Sequence, residues 1–322
     1  MTKTSQLNSG NDDTIAVVLS TYNGAAYITE LIDSLKRQTF THWHCYIRDD
    51  GSKDNSIEVV KSNIAGSDKF TLIEDTKGNL KINGSHLTLF ASVKENYIAV
   101  CDQDDVWLEN KLEASLKKLK EIETEDRLPA LVHTDSYFVD EKLNILRPLF
   151  IGNRGKKTGL PGILFANSVQ GGSVLFNRAL CDVMLSTPVT LIYDYQLAML
   201  AELTGRRAFL SQPLLKYRQH AQSSIAKSDT DKKQDNHIST SLLTSLSGYN
   251  YFRKIDYDKL SVSPDIRKQM DDYFYLFEGK NILKKCFFLA KNNYAFYRKK
   301  DYLSFLKLVL LNADLTQLAK QD

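Results

Sequence analysis

Cysteine is scarce. The chain of 322 residues has four, Cys45, Cys101, Cys181 and Cys286. They lie far apart and make no CxxC or zinc-ligand spacing, which excludes a disulfide framework or cysteine metal centre of the usual kind. Buried, reduced thiols in a cytosolic protein are the expectation. Long apolar runs are also missing. None approaches the roughly 18–20 residues of a spanning helix. Met1 to Asp13 is polar, lacks the apolar core of a secretory signal, and reads as a disordered tail. There is no internal repeat, and a net charge of +3 is too small to argue for nucleic acid over the whole chain. The length suits one large or two small domains.

What is present begins with Ile15 to Leu19, a continuous apolar run as in a central parallel strand covered on both faces. The turn Ser20-Thr21-Tyr22-Asn23-Gly24 breaks it. Ile28, Leu31, Ile32 and Leu35 then mark a helix. A second strand, Trp43 to Ile47, ends in Arg48-Asp49-Asp50-Gly51-Ser52. A helix from near Asp54 follows, then a strand over Phe70 to Ile73, the loop Thr76-Lys77-Gly78-Asn79 and a helix over 84–93. Tyr97 to Cys101 is the fourth strand. Strand and helix alternate, which predicts an α/β fold with an open parallel sheet and helices on both sides. Ligands in such folds bind beyond the carboxyl ends of the strands, where Thr21 to Asn23, Asp49-Asp50 and the next turn all fall.

That turn is Asp102-Gln103-Asp104-Asp105-Val106-Trp107. Three adjacent acids gain nothing from a packed core, because burying an unpaired charge is costly. Either Asp105 caps the following helix (Leu112, Leu116, Leu119, Ile122), or the Asp-x-Asp acids hold a cation beside a sugar-nucleotide diphosphate.

Further on, Ala130 to His133 and Tyr137 to Val139 read as strands. Residues 144–162 carry Arg147, Arg154, Lys156 and Lys157 among glycines and prolines and read as a mobile loop, either a lid or a solvated basic loop. Asn167 to Gly172 leads into a strand over Ser173 to Phe176 and a helix over 177–186. Asp194 opens an apolar helix, Leu197 to Leu203, where a cap or first-turn acid would sit. Arg207 to Leu210 and Leu214 to His220 follow. In Tyr217-Arg218-Gln219-His220, Arg and His together can contact phosphate or metal. A flexible linker is expected over 223–240, then a helical region over 241–322. Within it, Lys280 to Lys307 interleaves lysines with aromatics. Such helices either lie on an anionic membrane surface or pack one face on the main domain. Nucleic-acid binding fits worse, since an acidic cleft repels phosphates.

These motifs, in this order from Ile15 to about His220, resemble family 2 glycosyltransferases of the GT-A fold. The Asp-Gln-Asp-Asp-x-Trp turn with Lys111-Leu112, Gln38-Thr39, Gly171-Gly172 and the Tyr-Arg-Gln-His end are most similar to the rhamnosyltransferase-like group of bacterial cell-wall and capsular synthesis. The resemblance implies a GT-A domain (a Rossmann-like nucleotide-diphospho-sugar transferase) over 14–222 with a helical C-terminal extension. Thr21, Tyr22 and Asn23 would border the nucleoside, with Asp49 at the base or ribose and Asp50 and Asn79 beside it. Asp102 would sit by the ribose and diphosphate and, with Asp104 and His220, hold Mg²⁺ or Mn²⁺. Arg218 would touch the nucleotide sugar, and Asp194 would be the catalytic base. Tyr193-Asp194-Tyr195-Gln196 departs from that group, in which a His precedes the base and aromatics follow.

The implied reaction is inverting transfer of rhamnose from dTDP-rhamnose to a hydroxyl of a growing polysaccharide or lipid-linked glycan. Alternatives are a UDP-glucose- or UDP-galactose-dependent transferase of the same family, a nucleotidyltransferase, and a non-catalytic glycan-binding protein. A nucleotidyltransferase would favour a Lys-bearing Gly-rich loop, and Ser20 to Gly24 has no Lys. The expected location is cytoplasmic, with peripheral contact at the inner face of the cell membrane through residues 280–311.

Overall fold

Ile15–Thr21 forms β1, an interior strand of the sheet, and its side chains alternate between two cores. Ala16 and Val18 face one hydrophobic cluster; Ile15, Val17 and Leu19 face the other. All five are fully buried, and each large aliphatic side chain contributes about 1.5–3 kcal/mol on burial. The structure, a computed structural model, describes residues 13–123, 127–220, 240–311 and 315. Most of the expected tail (1–12) and linker (223–239) lies outside the described residues.

The other strands are β2 (Trp43–Asp49), β3 (Phe70–Ile73), β4 (Tyr97–Asp102), β5 (Val106–Trp107), β6 (Ala130–Val139), β7 (Ile145–Arg147), β8 (Val174–Asn177) and β9 (Arg206–Arg218). The described strands make one sheet in the order β3-β2-β1-β4-β8-β6-β9-β5, with β7 on β6. The first four are parallel. Helices α1 (Ile28–Lys36), α2 (Ser56–Ile64), α3 (Lys81–Ser92) and α4 (Lys111–Ile122) alternate with them. In α1 the expected stripe Ile28, Leu31, Ile32 and Leu35 is fully buried.

The expectation of an all-parallel sheet holds for this first half and for the β6–β9 pair, but not throughout. β8 runs antiparallel to both β4 and β6, and β5 runs antiparallel to β9. Apolar runs carry no direction, so the sequence is silent on this reversal. Ala130 to Val139 is a single strand, and so is Arg206 to Arg218. Pro213, which reads as a break, lies at a register shift of the β6–β9 pair, where a missing amide donor is tolerated.

The basic loop, read as a mobile lid or a solvated loop, has structure of its own. It contains β7, a 3₁₀ turn (Gly152–Lys156) and α5 (Leu160–Ile163). Asp135 accepts from the amides of Phe150, Ile151 and Gly152, and Glu202 accepts from that of Gly159.

Helices α6 (Arg178–Ser186) and α7 (Tyr193–Thr204) cover β8 and β6. The C-terminal region follows as α8 (Thr240–Phe252), α9 (Pro264–Glu278), α10 (Ile282–Asn292) and α11 (Lys299–Leu310). Leu246, Tyr273, Phe277, Leu289, Phe305 and Val309 share one continuous core with Phe90, Tyr195 and Met199. The basic-aromatic stretch is therefore divided. Tyr294, Phe305 and Lys285 are buried, while Leu283, Phe287, Leu303, Leu310 and Leu311 are exposed. No described helix is long and apolar enough to cross a membrane.

Candidate active site

Register alone brings the first site residues together. Thr21 lies opposite Asp49, and Ser20 opposite Asp102, at the carboxyl ends of β1, β2 and β4. Thr21 Oγ1 donates to Asp49 Oδ1 at 3.0 Å. Asp49 also accepts from the Ser52 hydroxyl and from the amides of Gly51 and Ser52, which fixes the turn after β2. Asn23 sits in the left-handed region at φ 49°, which Asn tolerates better than most residues. Its amide donates to Ser52 Oγ, and its Oδ1 accepts from the Lys53 amide. The backbone of Tyr22 makes two hydrogen bonds to the side chain of Gln103, at 2.9 and 3.0 Å. The middle residue of the acidic turn thus fastens that turn to the end of β1.

Asp50 and Asn79 belong to the neighbouring loop. Asp50 is buried, pairs with fully buried Arg48 at 2.5 Å and accepts from the Leu80 amide at 2.7 Å. Arg48 also binds Asp75 and the Gly78 carbonyl. The Asp50 carboxylate thus helps to hold the loop of exposed Asn79.

The three acids of the turn differ sharply. Asp102 is partly accessible and accepts from the Gly172 amide at 3.0 Å. Burial, then the charges of Asp104 and Asp194, push its carboxyl up to about 7. Asp105 is fully buried, and burial ahead of Asp104 and Asp102 holds it well above the usual range. Its Oδ1 accepts from the Arg218 amide, and its Oδ2 has no partner among the described residues. It is not a helix cap: Asn110 occupies that position in α4, with no side-chain cap bond. Asp104 pairs with His220, Oδ2 to Nε2 at 2.8 Å.

Arg218 is only 3% exposed. It donates to the carbonyls of Asp104 and Glu141, pairs with Glu30, and lies over the Tyr27 ring. Its side chain ties the acidic turn to α1.

The expected ligand set of Asp102, Asp104 and His220 does not converge. Among the described residues, no three His, Cys, Asp or Glu side chains come together closely enough to hold an ion. Asp104 meets His220; Asp102 and Asp105 approach each other across Gly172. A Cβ on Gly172 would lie 2.9 Å from a carboxylate oxygen of each. One on Gly171 would lie 2.0 Å from the Tyr193 hydroxyl. Both glycines are required by this close approach.

Asp194 stands in the first turn of α7, a favourable end for a negative charge. It accepts from the Tyr195 amide at 2.5 Å and interacts with the Gly171 amide. Burial nevertheless pushes its carboxyl up to about 6. It lines a cavity of about 740 Å³ whose wall includes Phe150, Arg154, Gln170 and Tyr217, and neither Asp102 nor Asp104. The 171–173 turn touches both acids: the Gly172 amide donates to Asp102, and the Gly171 amide interacts with Asp194.

Sequence reasoning missed Lys111 as a charged component. It is fully buried, its Nζ lies 3.7 Å from the Trp107 ring centre, and it has no hydrogen-bond partner among the described residues. Burial pushes it down to about 7, against the pull of Cys101, Asp105 and Asp102. Lys111 belongs to the motif that carries the family resemblance, but a Lys at the start of an amphipathic helix reads as solvated, so its burial is not legible in the sequence. Ser168 and Gln170 were passed over as parts of a polar connection, although both prove to be buried.

The family model "Glycosyl transferase family 2" matches residues 16–178. An uncharacterized glycosyltransferase of Rickettsia felis is 28% identical over 134 residues, 41% of this chain and 21% of its own length. The Escherichia coli UDP-Glc:alpha-D-GlcNAc-diphosphoundecaprenol beta-1,3-glucosyltransferase WfgD is 28% identical over 109 residues, 34% of this chain and 42% of its own. The chain thus spans well under half the length of these relatives. Among solved structures, S. aureus TarS 1–349 in complex with UDP-GlcNAc superposes with a TM-score of 0.56 at 15% identity, covering 95% of this chain and 89% of that one. The mannosyltransferase PcManGT of Pyrobaculum calidifontis, in complex with GDP-Man and Mn²⁺, gives 0.51 at 14%, covering 96% and 88%. These likenesses bear on the fold, which is of the GT-A class with a helical C-terminal region. With half of its length matched by that model, the chain belongs to glycosyl transferase family 2.

Proposed function

We propose that the chain moves a sugar from a nucleoside diphosphate donor to an acceptor hydroxyl, with inversion at the anomeric carbon. One observation carries this reading: the 171–173 turn links Asp102, at the carboxyl end of β4, to Asp194, which lines a cavity. Donor and acceptor would meet across that turn. Thr21, Tyr22, Asn23, Asp49 and Asn79 would border the nucleoside, and Asp102 the ribose and diphosphate. Asp50 and Arg218 act as positioning residues.

The Asp104 carboxylate and the His220 imidazole suit Mg²⁺ or Mn²⁺, which prefer hard oxygen donors and accept nitrogen. The Asp105 Oδ2 of the same turn is a buried polar atom without a partner among the described residues. Asp104 and His220 would hold the ion, leaving its other positions to diphosphate and water. When bound, it would supply Lewis-acid neutralisation of the leaving diphosphate.

Asp194 takes the proton of the acceptor hydroxyl as that oxygen bonds to the anomeric carbon and the bond to the diphosphate breaks. A base whose pKa lies near the working pH suits this role, and it contributes about 10²–10⁴-fold. Asp194→Asn is therefore expected to lower transfer by that factor while donor binding persists; normal turnover would remove Asp194 from the role.

The motifs point to dTDP-rhamnose as donor. The names of the relatives point to UDP-glucose or another UDP-sugar. The acceptor is a glycan or lipid-linked saccharide. Exposed Leu283, Phe287, Leu310 and Leu311 with Lys280, Lys284, Lys299 and Lys300 would rest on an anionic membrane surface.

A further inference from the structure

Helix α7, which carries Asp194 in its first turn, begins without a cap of its own. Its N-cap residue is Ile192, whose side chain can accept nothing from the first amides. The acceptor comes from another helix. Asn83, in the first turn of α3, accepts from the Tyr193 amide through Oδ1 at 3.0 Å and donates through Nδ2 to the Leu191 carbonyl at 2.8 Å. One partner is a donor and the other an acceptor, so only this orientation of the amide satisfies both. The chain is thereby gripped on each side of Ile192.

A second contact comes from the same face of α3. His86, three residues on, stacks on the Tyr193 ring with centres 3.9 Å apart and planes at 14°. Its Nδ1 donates to the Ile82 carbonyl at 2.7 Å, and burial holds the imidazole down to about 4, so that it is neutral at pH 7. The far end of Tyr193 reaches Gly171, where its hydroxyl fills the space a Cβ would need. Tyr193 therefore sets the gap between the start of α7 and Gly171. Asp194 spans that gap, between the Tyr195 amide and the Gly171 amide. Between Asn83 and His86, fully buried Ser85 binds the donor side: it shares a hydrogen bond with the Ser20 hydroxyl at 2.6 Å and accepts from Arg48 at 3.0 Å. Ser20 lies opposite Asp102 in the β1–β4 register.

We propose that Asn83 is a positioning residue for the base. Acting through Tyr193, with the His86 ring behind it, Asn83 sets where Asp194 stands relative to the donor edge that α3 holds through Ser85. The inference rests on the reading of Asp194 as the base. Asn83 does not line the cavity beside Asp194, so its effect on the reaction is indirect. A base works within about 2.6–3.2 Å of the proton it takes, and a misplacement of about 1 Å can cost about 10²-fold. A hydrogen-bonded grip one residue from the base is therefore worth more to the rate than to the fold.

The test is a double-mutant cycle on the full chain, with wild type, Asn83→Ala, Asp194→Asn and the double variant. The first readout needs no substrate. At pH 7, Asp194→Asn is expected to raise the melting temperature, and to raise it less than half as much beside Asn83→Ala, because the released turn lets water reach the carboxyl. The second is the initial release of nucleoside diphosphate from dTDP-rhamnose and from UDP-glucose, with Mn²⁺ and octyl N-acetylglucosaminide, at pH 8, where Asp194 is deprotonated. Asn83→Ala is expected to lower kcat tenfold or more with the donor KM changed less than twofold, and to lower it less than twofold further in Asp194→Asn. Asn83→Asp, which keeps the acceptor for the Tyr193 amide, should recover part of the rate. Asn83→Ser takes the place of the alanine variant if that one does not fold, and the melting cycle decides alone if neither donor turns over. Equal gains in melting temperature in the two backgrounds, or equal losses of kcat in both, would make Asn83 a plain helix cap and overturn the proposal. Undiminished turnover in Asp194→Asn would instead overturn the reading of the base itself.

Discussion

The Gly172 amide donates to Asp102 Oδ2 at 3.0 Å, joining the end of β4 to the turn that precedes β8. A methyl group at 172 would lie 2.9 Å from carboxylate oxygens of both Asp102 and Asp105. Gly172→Ala must therefore move two acids, and overpacking of this kind costs about 1–3 kcal/mol. The variant is expected to melt at a lower temperature and to raise the KM for donor several-fold, measured by thermal denaturation and initial rates. Wild-type behaviour in both would mean that the turn yields without disturbing Asp102.

Asp194 gives the reaction an acid limb. Its carboxyl is raised from an ordinary 3.8 to about 6 by burial. The base works only when deprotonated, so log kcat should climb with unit slope as pH rises toward 6 and level above it. Stability runs the other way. The unfolded chain loses this proton near 3.8 and the folded chain near 6, so the group's contribution is present below 3.8 and fades as pH rises through 6. Asp194→Asn, which keeps an amide-accepting oxygen and removes the charge, is expected to lose activity and melt higher at pH 7. A rate profile flat from pH 5 to 8 would contradict the assignment.

For the C-terminal helices the test is substitution, since removing them would unroof the core that contains Leu289, Phe305 and Val309. Leu283 and Phe287 are 82% and 60% exposed. Changing both to Ser should reduce co-sedimentation with vesicles rich in anionic lipid several-fold and leave the melting temperature nearly unchanged, because neither side chain is in the core. Undiminished sedimentation would return this face to a solvated surface.

Much of the strand-turn side of the site could be read from sequence, because the strands alternate with helices and place Thr21, Asp49 and Asp102 at one edge. The parts that could not be read depend on long-range pairing. β5 consists of two residues that pair with β9, more than a hundred positions away. The same pairing buries Asp105 and draws Arg218 under the acidic turn, where it serves structure. Gly171-Gly172 was visible as a motif, but its reason, the Tyr193 hydroxyl on one side and two carboxylates on the other, exists only in three dimensions.

The central claim is a metal-assisted nucleotide-sugar site at the acidic turn, and donor binding tests it most directly. Thermal shift would be measured with dTDP-rhamnose, UDP-glucose, UDP-galactose and UDP-N-acetylglucosamine, each with Mn²⁺, with Mg²⁺ and with EDTA. A ligand that binds only the folded state raises its stability by mass action, about 2.7 kcal/mol at a hundred times its Kd. At least one donor is expected to raise the melting temperature with metal, less with EDTA, and far less in Asp104→Asn. No shift from any donor, or the same shift in EDTA and in Asp104→Asn, would contradict it.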